Sequence, residues 1–313
     1  MPGPTRESVR KNLELDEAYD EWLAELDRLG LAGDPLVPLA ASQTAGLLDR
    51  LGFAAEDRRD ALATRVLPED HPELWWLLER SHNAVVRGLR PDAPRWSLPM
   101  LPERLGPVGR FFPLHVLLCA VHPLHEWHRQ HAIDDEISWA SMRDLGRGVA
   151  IHRATHGHGG LDKAGWLSLH FHGELFELGR LQFELQAQTI GLHIPATGPL
   201  TPAACDDALG QARRFIPRHF PDPPRRRVVC TSWLLDEQLA DYLPPDSNIV
   251  RFQRRFTMEP GAADDDHEPL RFVFRRVPPD VGELARDTTL QRALVDHLRD
   301  GGHWRVRSGW VPL

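Results

Sequence analysis

The stretch TIGLHIPATGPLTPAACDDALGQARRF, residues 189–215, decides the reading of the second half of this chain. From Thr189 to Pro195 it alternates, with Ile190, Leu192 and Ile194 facing one way and Gly191 and His193 the other, the period of a half-buried strand. The loop ATGPLT follows. Thr201-Pro202 then couples a side-chain cap to a proline suited to the first helical position, so a helix starts there. Cys205, Leu209, Ala212 and Ile216 recur at helical spacing, a stripe expected to pack on a sheet. A strand, a loop and a helix N-terminus in this order can present backbone N–H groups to a phosphate. The same order also describes an ordinary strand-turn-helix with a good cap.

The flanking segments extend the sheet. ELFELGRLQFELQ (174–186) sets Leu181, Phe183 and Leu185 against Arg180, Gln182 and Glu184, a strand with Gly179 as a bulge or tight turn. Before it, LDKAGWLSLHFHG (161–173) predicts a short helix capped by Asp162 and stopped at Gly173. After it, RRVVCTSWLL (226–235), NIVRFQRRFTM (248–258), LRFVFRRV (270–277) and WRVRSGWVPL (304–313) read as strands. DEQLADYL, capped by Asp236, and Thr288 to Leu298 read as helices, and Asp264 to Asp266 as a solvated hairpin loop.

The first half has a different texture. Tyr19, Trp22, Leu23 and Leu26 form one stripe of a helix closing at Gly30; Ser42 is the expected cap of QTAGLLDRLG; His71-Pro72 opens PELWWLLERSHNAVVRGL. Pro91 to Pro113 reads as a proline-rich crossing segment or a hinge, followed by a helix from about Leu114 to Gln130 kinked at Pro123. In AIDDEISWASMRDLGRGVAIHRATHG, Ile137, Met142, Leu145 and Val149 predict another helix, and HRATHGHGG a flexible connector and not a ligand cluster. The expected architecture is α+β: an all-helical N-terminal domain over 1–160, then a mixed, mostly antiparallel sheet flanked by helices over 161–313.

Composition narrows the function classes. With 313 residues and 42% hydrophobic content the chain can bury a substantial core, which excludes a disordered protein. The longest apolar run, near Val116 to Val121, is short of the ~20 residues of a membrane span, and MPGPTRESVRKNLELDE has no signal-type apolar block, so a cytoplasmic protein is expected. Cys119, Cys205 and Cys230 are too few and too scattered for a disulfide framework or a thiolate metal site. A net charge of -8 argues against nonspecific nucleic-acid binding. Only Lys11 and Lys163 are lysines among 37 basic residues, a bias that weakens any argument from a lone arginine.

GWLSLHFHGELFELGRLQFEL, HIPATGPLTPAACDDAL, RRFIPRHFP and CTSWLLDEQLADYLPPDSNIVRFQRRF, together about Gly165 to Phe256, resemble bacterial acyltransferases that join a helical N-terminal region to a GNAT-like domain. FELGRLQFE and SNIVRFQRRF are the most specific parts. The resemblance implies a GNAT-type sheet, acyl-CoA as cosubstrate and transfer of the acyl group to a small-molecule amine. It implies that Ile194, Ala196, Gly198, Leu200 and Thr201 line the CoA loop and that Arg214, with Arg213 and Arg218 or Arg225 to Arg227, can meet the 3′-phosphate. The loop departs from the usual Arg/Gln-x-x-Gly-x-Gly/Ala signature: it keeps only Gly198, while Pro199 and Pro202 supply no amide donors.

Amine acylation needs a base, a polarised carbonyl and a proton for the departing thiolate. His193, near the end of the central strand, is the first candidate base, with Glu184 second and Glu177 and Glu174 behind it. Ser232, Cys230 and Tyr242 are the candidate acids. On spacing alone, a structural histidine and a solvated row of strand carboxylates are the more common readings of the same residues.

Seventeen histidines raise the question of a metal. His115, His122, His125, His128 and His131 fall on one helical segment and His170-x-His172 forms a pair, but HExxH is absent; an amphipathic helix and diverging rings are the expected outcome. Two alternatives to the transferase stay open, a noncatalytic acyl-CoA or small-ligand binding protein and a histidine-liganded metal hydrolase. The helical half is a candidate for shaping the acceptor pocket, capping the acyl tunnel or forming a homodimer.

Overall fold

In the computed structural model, residues 3–31, 35–90, 93–278 and 280–313 are described. The chain divides into two units, Met1–Phe176 and Glu177–Leu313. Pro91, the expected start of the crossing segment, lies outside the described residues.

The first unit carries helices α1 (Arg6–Asn12), α2 (Asp20–Leu29), α3 (Ala41–Arg50), α4 (Ala55–Ala63), α5 (Pro72–Arg87), α6 (Gly106–Gln130), α7 (Asp135–Met142), α8 (Asp144–His156) and α9 (Ala164–Phe171), and the first residues of β1 (Leu175–Leu178). As predicted, α2 buries Trp22, Leu23 and Leu26 and ends at Gly30, and His71 precedes α5. Two caps differ. The residue before α3 is Ala40, whose N–H donates to Gln43 Oε1, so Ser42 lies inside the helix. Lys163, not Asp162, precedes α9, and Asp162 instead faces His156.

The expected crossing segment is partly helical. α6 begins at Gly106 with Pro107 in its first turn, where a missing N–H costs little, and runs on through Pro113 and Pro123, each of which removes one interior hydrogen bond. Glu103–Gln130 meets the length and hydropathy of a membrane-crossing helix, which run length alone missed because prolines and histidines interrupt the apolar residues; 61% of its apolar window is buried. Phe111, Phe112, Leu114, Val116, Leu117 and Val121 are the centre of the first unit's core. The predicted helix after Ala132 is two, α7 and α8, and α8 runs through HRATH to His156 before Gly157 turns it at φ +74°. Arg153 anchors it to buried Asp57 at 2.6 Å and to Asp60.

The second unit is built on β2 (Leu181–Leu185), β3 (Ile190–His193), β4 (Arg227–Ser232), β5 (Thr257–Met258), β6 (Ala263–Asp264) and β7 (Arg305–Pro312). The sheet order is β1-β2-β3-β4-β7-β5, with β6 on β7; β2–β3, β4–β7, β5–β7 and β6–β7 pair antiparallel and β3–β4 parallel. The fold is thus mixed α+β with a mostly antiparallel open sheet. α10 (Pro202–His219) lies against β2 and buries the predicted stripe of Cys205, Leu209, Ala212 and Ile216, and Thr201 Oγ1 accepts from Ala204 N–H.

Two expected strands are helical. Asn248–Gln253 forms α11 because Ser247 Oγ accepts from Val250 N–H, and only Thr257–Met258 of that segment is strand. His267–Phe274 forms α12, started by Asp265 Oδ1 accepting from the N–H groups of His267 and Glu268. The acidic run is therefore a working cap and, through Asp266, a partner of Trp304 N–H and His303, not a solvated loop. DEQLADYL forms a 3₁₀ turn over Glu237–Asp241, capped by Asp236 as expected. α13 (Thr289–Arg299) starts at the Thr288–Gln291 capping box.

Candidate active site

The central strands part company. β3 and β4 pair in parallel only at Ile190–Val228 and Gly191–Val229. Beyond that point β4 continues to Ser232 paired with β7, whereas β3 ends at His193 and enters the loop 194–201. A parallel pair that stops pairing midway leaves backbone N–H and C=O groups of both strands without their ladder partners, a place for an extended ligand to enter.

Register assigns each side chain to a face. Gln182 opposes His193 and Glu184 opposes Gly191, so these four share one face of the sheet. There His193 Nε2 lies 2.8 Å from Glu184 Oε2 across the diagonal of the antiparallel pair. His193 is 29% and Glu184 13% exposed, so the pair is partly desolvated but reachable from solvent. A carboxylate only accepts, so Nε2 carries the proton in this contact. Gly191 clears the space between them: a Cβ there would stand 3.1 Å from Glu184 Oε2, 3.2 Å from His193 Nε2 and 2.8 Å from Gln186 Nε2.

The loop after β3 uses its polar groups unevenly. Arg180, at the β1–β2 turn beside Gly179 (φ +64°), donates to the carbonyls of Pro195 (2.9 Å), Gly198 (2.8 Å) and Pro199 (3.3 Å). Among the described residues the N–H groups of Ala196, Gly198, Leu200 and Thr201 have no acceptor in the protein. The carbonyls are engaged by a cation, the amides are available, and both stand at the N-terminus of the 18-residue α10. That combination suits a phosphate better than the two prolines suggest. Ile194 begins the loop; Arg214 is exposed on α10, and Arg213 donates to Pro312 O at 3.2 Å.

The sequence-predicted acids are not brought to His193. Val228, Cys230 and Ser232 share the face of Ile190 and Leu192, opposite His193. Cys230 is fully buried there and burial pushes its thiol up to about 12, while Ser232 Oγ is spent on Leu234 N–H at 3.1 Å. Tyr242 Oη is tied to His297 at 3.1 Å. Glu177 accepts from Gln182 at 3.3 Å, and Glu174 precedes β1 in the first unit, ion-paired with Arg95 at 2.5 Å. On the His193 face of β4 the hydroxyl is Thr231, 2.7 Å from Ser308. Arg180 is the loop-organising residue that no local pattern signals. FELGRLQFE carried Arg180 in plain sight, but its target carbonyls lie 15 to 19 residues away in the loop.

Four of the first unit's buried histidines are held by packing partners. His115 and His128 are buried, the first against Thr64 Oγ1 at 3.3 Å and the second against Ser138 Oγ at 2.8 Å. The H-x-H rings diverge as expected: His170 reaches Asp144 at 3.2 Å and Leu175 O at 3.1 Å, whereas His172 stacks on Trp96 at 5.5 Å. Burial raises the Asp144 carboxyl, but the hydrogen bond from His170 and the charge of Arg147 outweigh it and hold the group well below the usual range.

Comparison with known proteins gives this geometry a family. Residues 42–173 match the N-acyltransferase N-terminal domain and residues 175–311 the GNAT-like C-terminal domain. No curated protein matches the sequence. Among solved structures, an acyltransferase in complex with decanoyl-CoA is 38% identical, with TM-score 0.94, covering 99% of this chain and 100% of its own. An acyltransferase in complex with decanoyl-CoA and teicoplanin is 38% identical over 99% and 100%, with TM-score 0.92. One in complex with CoA and 10C-teicoplanin is 37% identical over the same shares, with TM-score 0.91. The noncatalytic and metal-hydrolase alternatives give way to full-length likeness to acyl-CoA-bound transferases. The chain belongs to the family that joins an N-acyltransferase N-terminal domain to a GNAT-like C-terminal domain, and it is an acyl-CoA-dependent N-acyltransferase.

Proposed function

We propose that the amine acceptor is a glycopeptide of the teicoplanin kind and that the donor is a medium-chain acyl-CoA. The observation that carries this reading is likeness over essentially the whole chain, at 38% identity, to an acyltransferase bound to both decanoyl-CoA and teicoplanin. The acceptor amine attacks the thioester carbonyl; the new bond is the amide C–N and the broken one is C–S. His193 takes the proton the nitrogen loses, and Glu184, 2.8 Å from Nε2, stabilises the resulting imidazolium. The proton returned by the imidazolium satisfies the CoA thiolate, so no separate acid from Cys230 or Ser232 is required.

The amides of Ala196, Gly198, Leu200 and Thr201 hold the CoA pyrophosphate, with Arg180 supplying positive charge behind the loop and Arg214 within the same helix for the 3′-phosphate. Bacterial cytoplasm is the expected setting, because CoA thioesters are intracellular metabolites. The test is competition: with decanoyl-CoA limiting, a teicoplanin-type glycopeptide and simple primary amines are offered together and the acylated products weighed. Acylation of the glycopeptide in preference supports the reading; preferential acylation of small amines would reject the glycopeptide and leave the transferase itself intact.

A further inference from the structure

We propose that His152, His156 and Asp162 form a zinc-type divalent cation site in the first unit, separate from the acyl-transfer chemistry. His152 and His156 are one turn apart on α8, and Gly157 reverses the chain so that Asp162 comes back over the same helix face. One ligand atom from each of the three lies within 4.8 Å of the others. His156 Nε2 and Asp162 Oδ2 are 3.4 Å apart. Two ligands bound at about 2.0–2.1 Å with tetrahedral angles span roughly this distance.

The second observation is the orientation of His152. Its Nδ1 lies 3.0 Å from the carbonyl oxygen of His158, which only accepts, so Nδ1 carries the proton and Nε2 is left as the lone-pair donor. This is the arrangement by which metal-binding histidines are usually aimed, with the remote nitrogen fixed by a backbone carbonyl. Gly160 makes room for it, since a Cβ there would come within 2.7 Å of His152 Cε1 and 3.0 Å of Nε2. His152 is buried, which favours the neutral ring a metal needs, while His156 and Asp162 are exposed and can close the remaining distance by side-chain rotation. Two imidazoles and a carboxylate form a donor set suited to zinc, with a fourth position open to water or to the neighbouring His158, whose ring is 5.4 Å from that of His152. The bound ion would pin the 157–162 turn to the end of α8.

The experiment uses the full chain, freed of metal with a chelator and titrated with Zn²⁺ against a chromogenic competitor, with melting temperature recorded in parallel. One Zn²⁺ per chain and a raised melting temperature are expected. His156→Ala and Asp162→Asn, both at exposed positions, should each weaken binding by about 10-fold or more. His303→Ala, an exposed histidine in the second unit, should leave it unchanged. A wild-type chain that takes up no zinc, or equal affinity in wild type and His156→Ala, would overturn the site.

Discussion

Gly191→Ala adds one methyl group between two residues that must touch. The new Cβ would sit 3.1 Å from Glu184 Oε2 and 3.2 Å from His193 Nε2, each a few tenths of an ångström inside ordinary contact, and 2.8 Å from Gln186 Nε2, which must move. Gln186 is exposed and can yield, whereas Glu184 and His193 are held by their strands, so their 2.8 Å contact lengthens or loses alignment. A hydrogen bond to a charged group contributes about 1.5–3 kcal/mol. If that stabilisation applies to the imidazolium formed during transfer, kcat falls by about 10- to 150-fold. The amides assigned to CoA begin at Ala196, so donor affinity should hold. The assay is thiol release under saturating decanoyl-CoA and acceptor, with CoA binding and melting temperature measured on the same protein. Repeating the substitution in a Glu184→Gln background should add little, because the two changes weaken the same contact. A Gly191→Ala enzyme with wild-type kcat would refute the paired role of Glu184 and His193.

Other outcomes follow from the same geometry. Arg180→Ala releases the carbonyls of Pro195, Gly198 and Pro199, and should weaken CoA binding by about 10-fold, the effect of one charge-assisted contact, with little change in melting temperature; titration calorimetry reads it. Ser232→Ala should leave kcat essentially unchanged, since Ser232 faces away from His193, and a large loss would restore it as an acid. Acid should destabilise the fold before its carboxylates titrate. Burial holds His115 at about 4 and His128 at about 3, both below the ordinary 6.5. Between about 6.5 and 4 the unfolded chain therefore binds more protons, and stability falls as pH falls through that window. Denaturant midpoints followed by tryptophan fluorescence at pH 7, 6 and 5 check this; a flat profile would contradict it.

The central unit was legible because its signals are local. Alternation put His193 and Gly191 on one face, and Thr201-Pro202 marked the start of α10, where the chain needs only its own backbone to decide. The face that Ser232 and Cys230 occupy was not legible, because it depends on the β3–β4 register, a pairing between segments almost forty residues apart that no local period reveals. The strands expected at 248–258 and 270–277 failed differently. Leu270, Phe272 and Phe274 do alternate, but Leu270, Val273 and Phe274 also fit one helix face, and the caps at Ser247 and Asp265 settle both segments as helices. HRATHGHGG reads as a connector, yet its first residues continue α8; Arg153, tied to Asp57 and Asp60, supplies the anchoring that a hydrophobic stripe would otherwise give.

The most direct test of the account is single-turnover transfer by His193→Ala. Wild-type chain loaded with decanoyl-CoA should release one thiol per chain only when the amine acceptor is added, with the acceptor gaining one decanoyl group. His193→Ala should bind decanoyl-CoA with wild-type affinity and lose most of that release, by about 100-fold or more, as expected for removal of a general base. Transfer by His193→Ala at the wild-type rate would show that the Glu184–His193 pair is structural and that the proton is taken elsewhere.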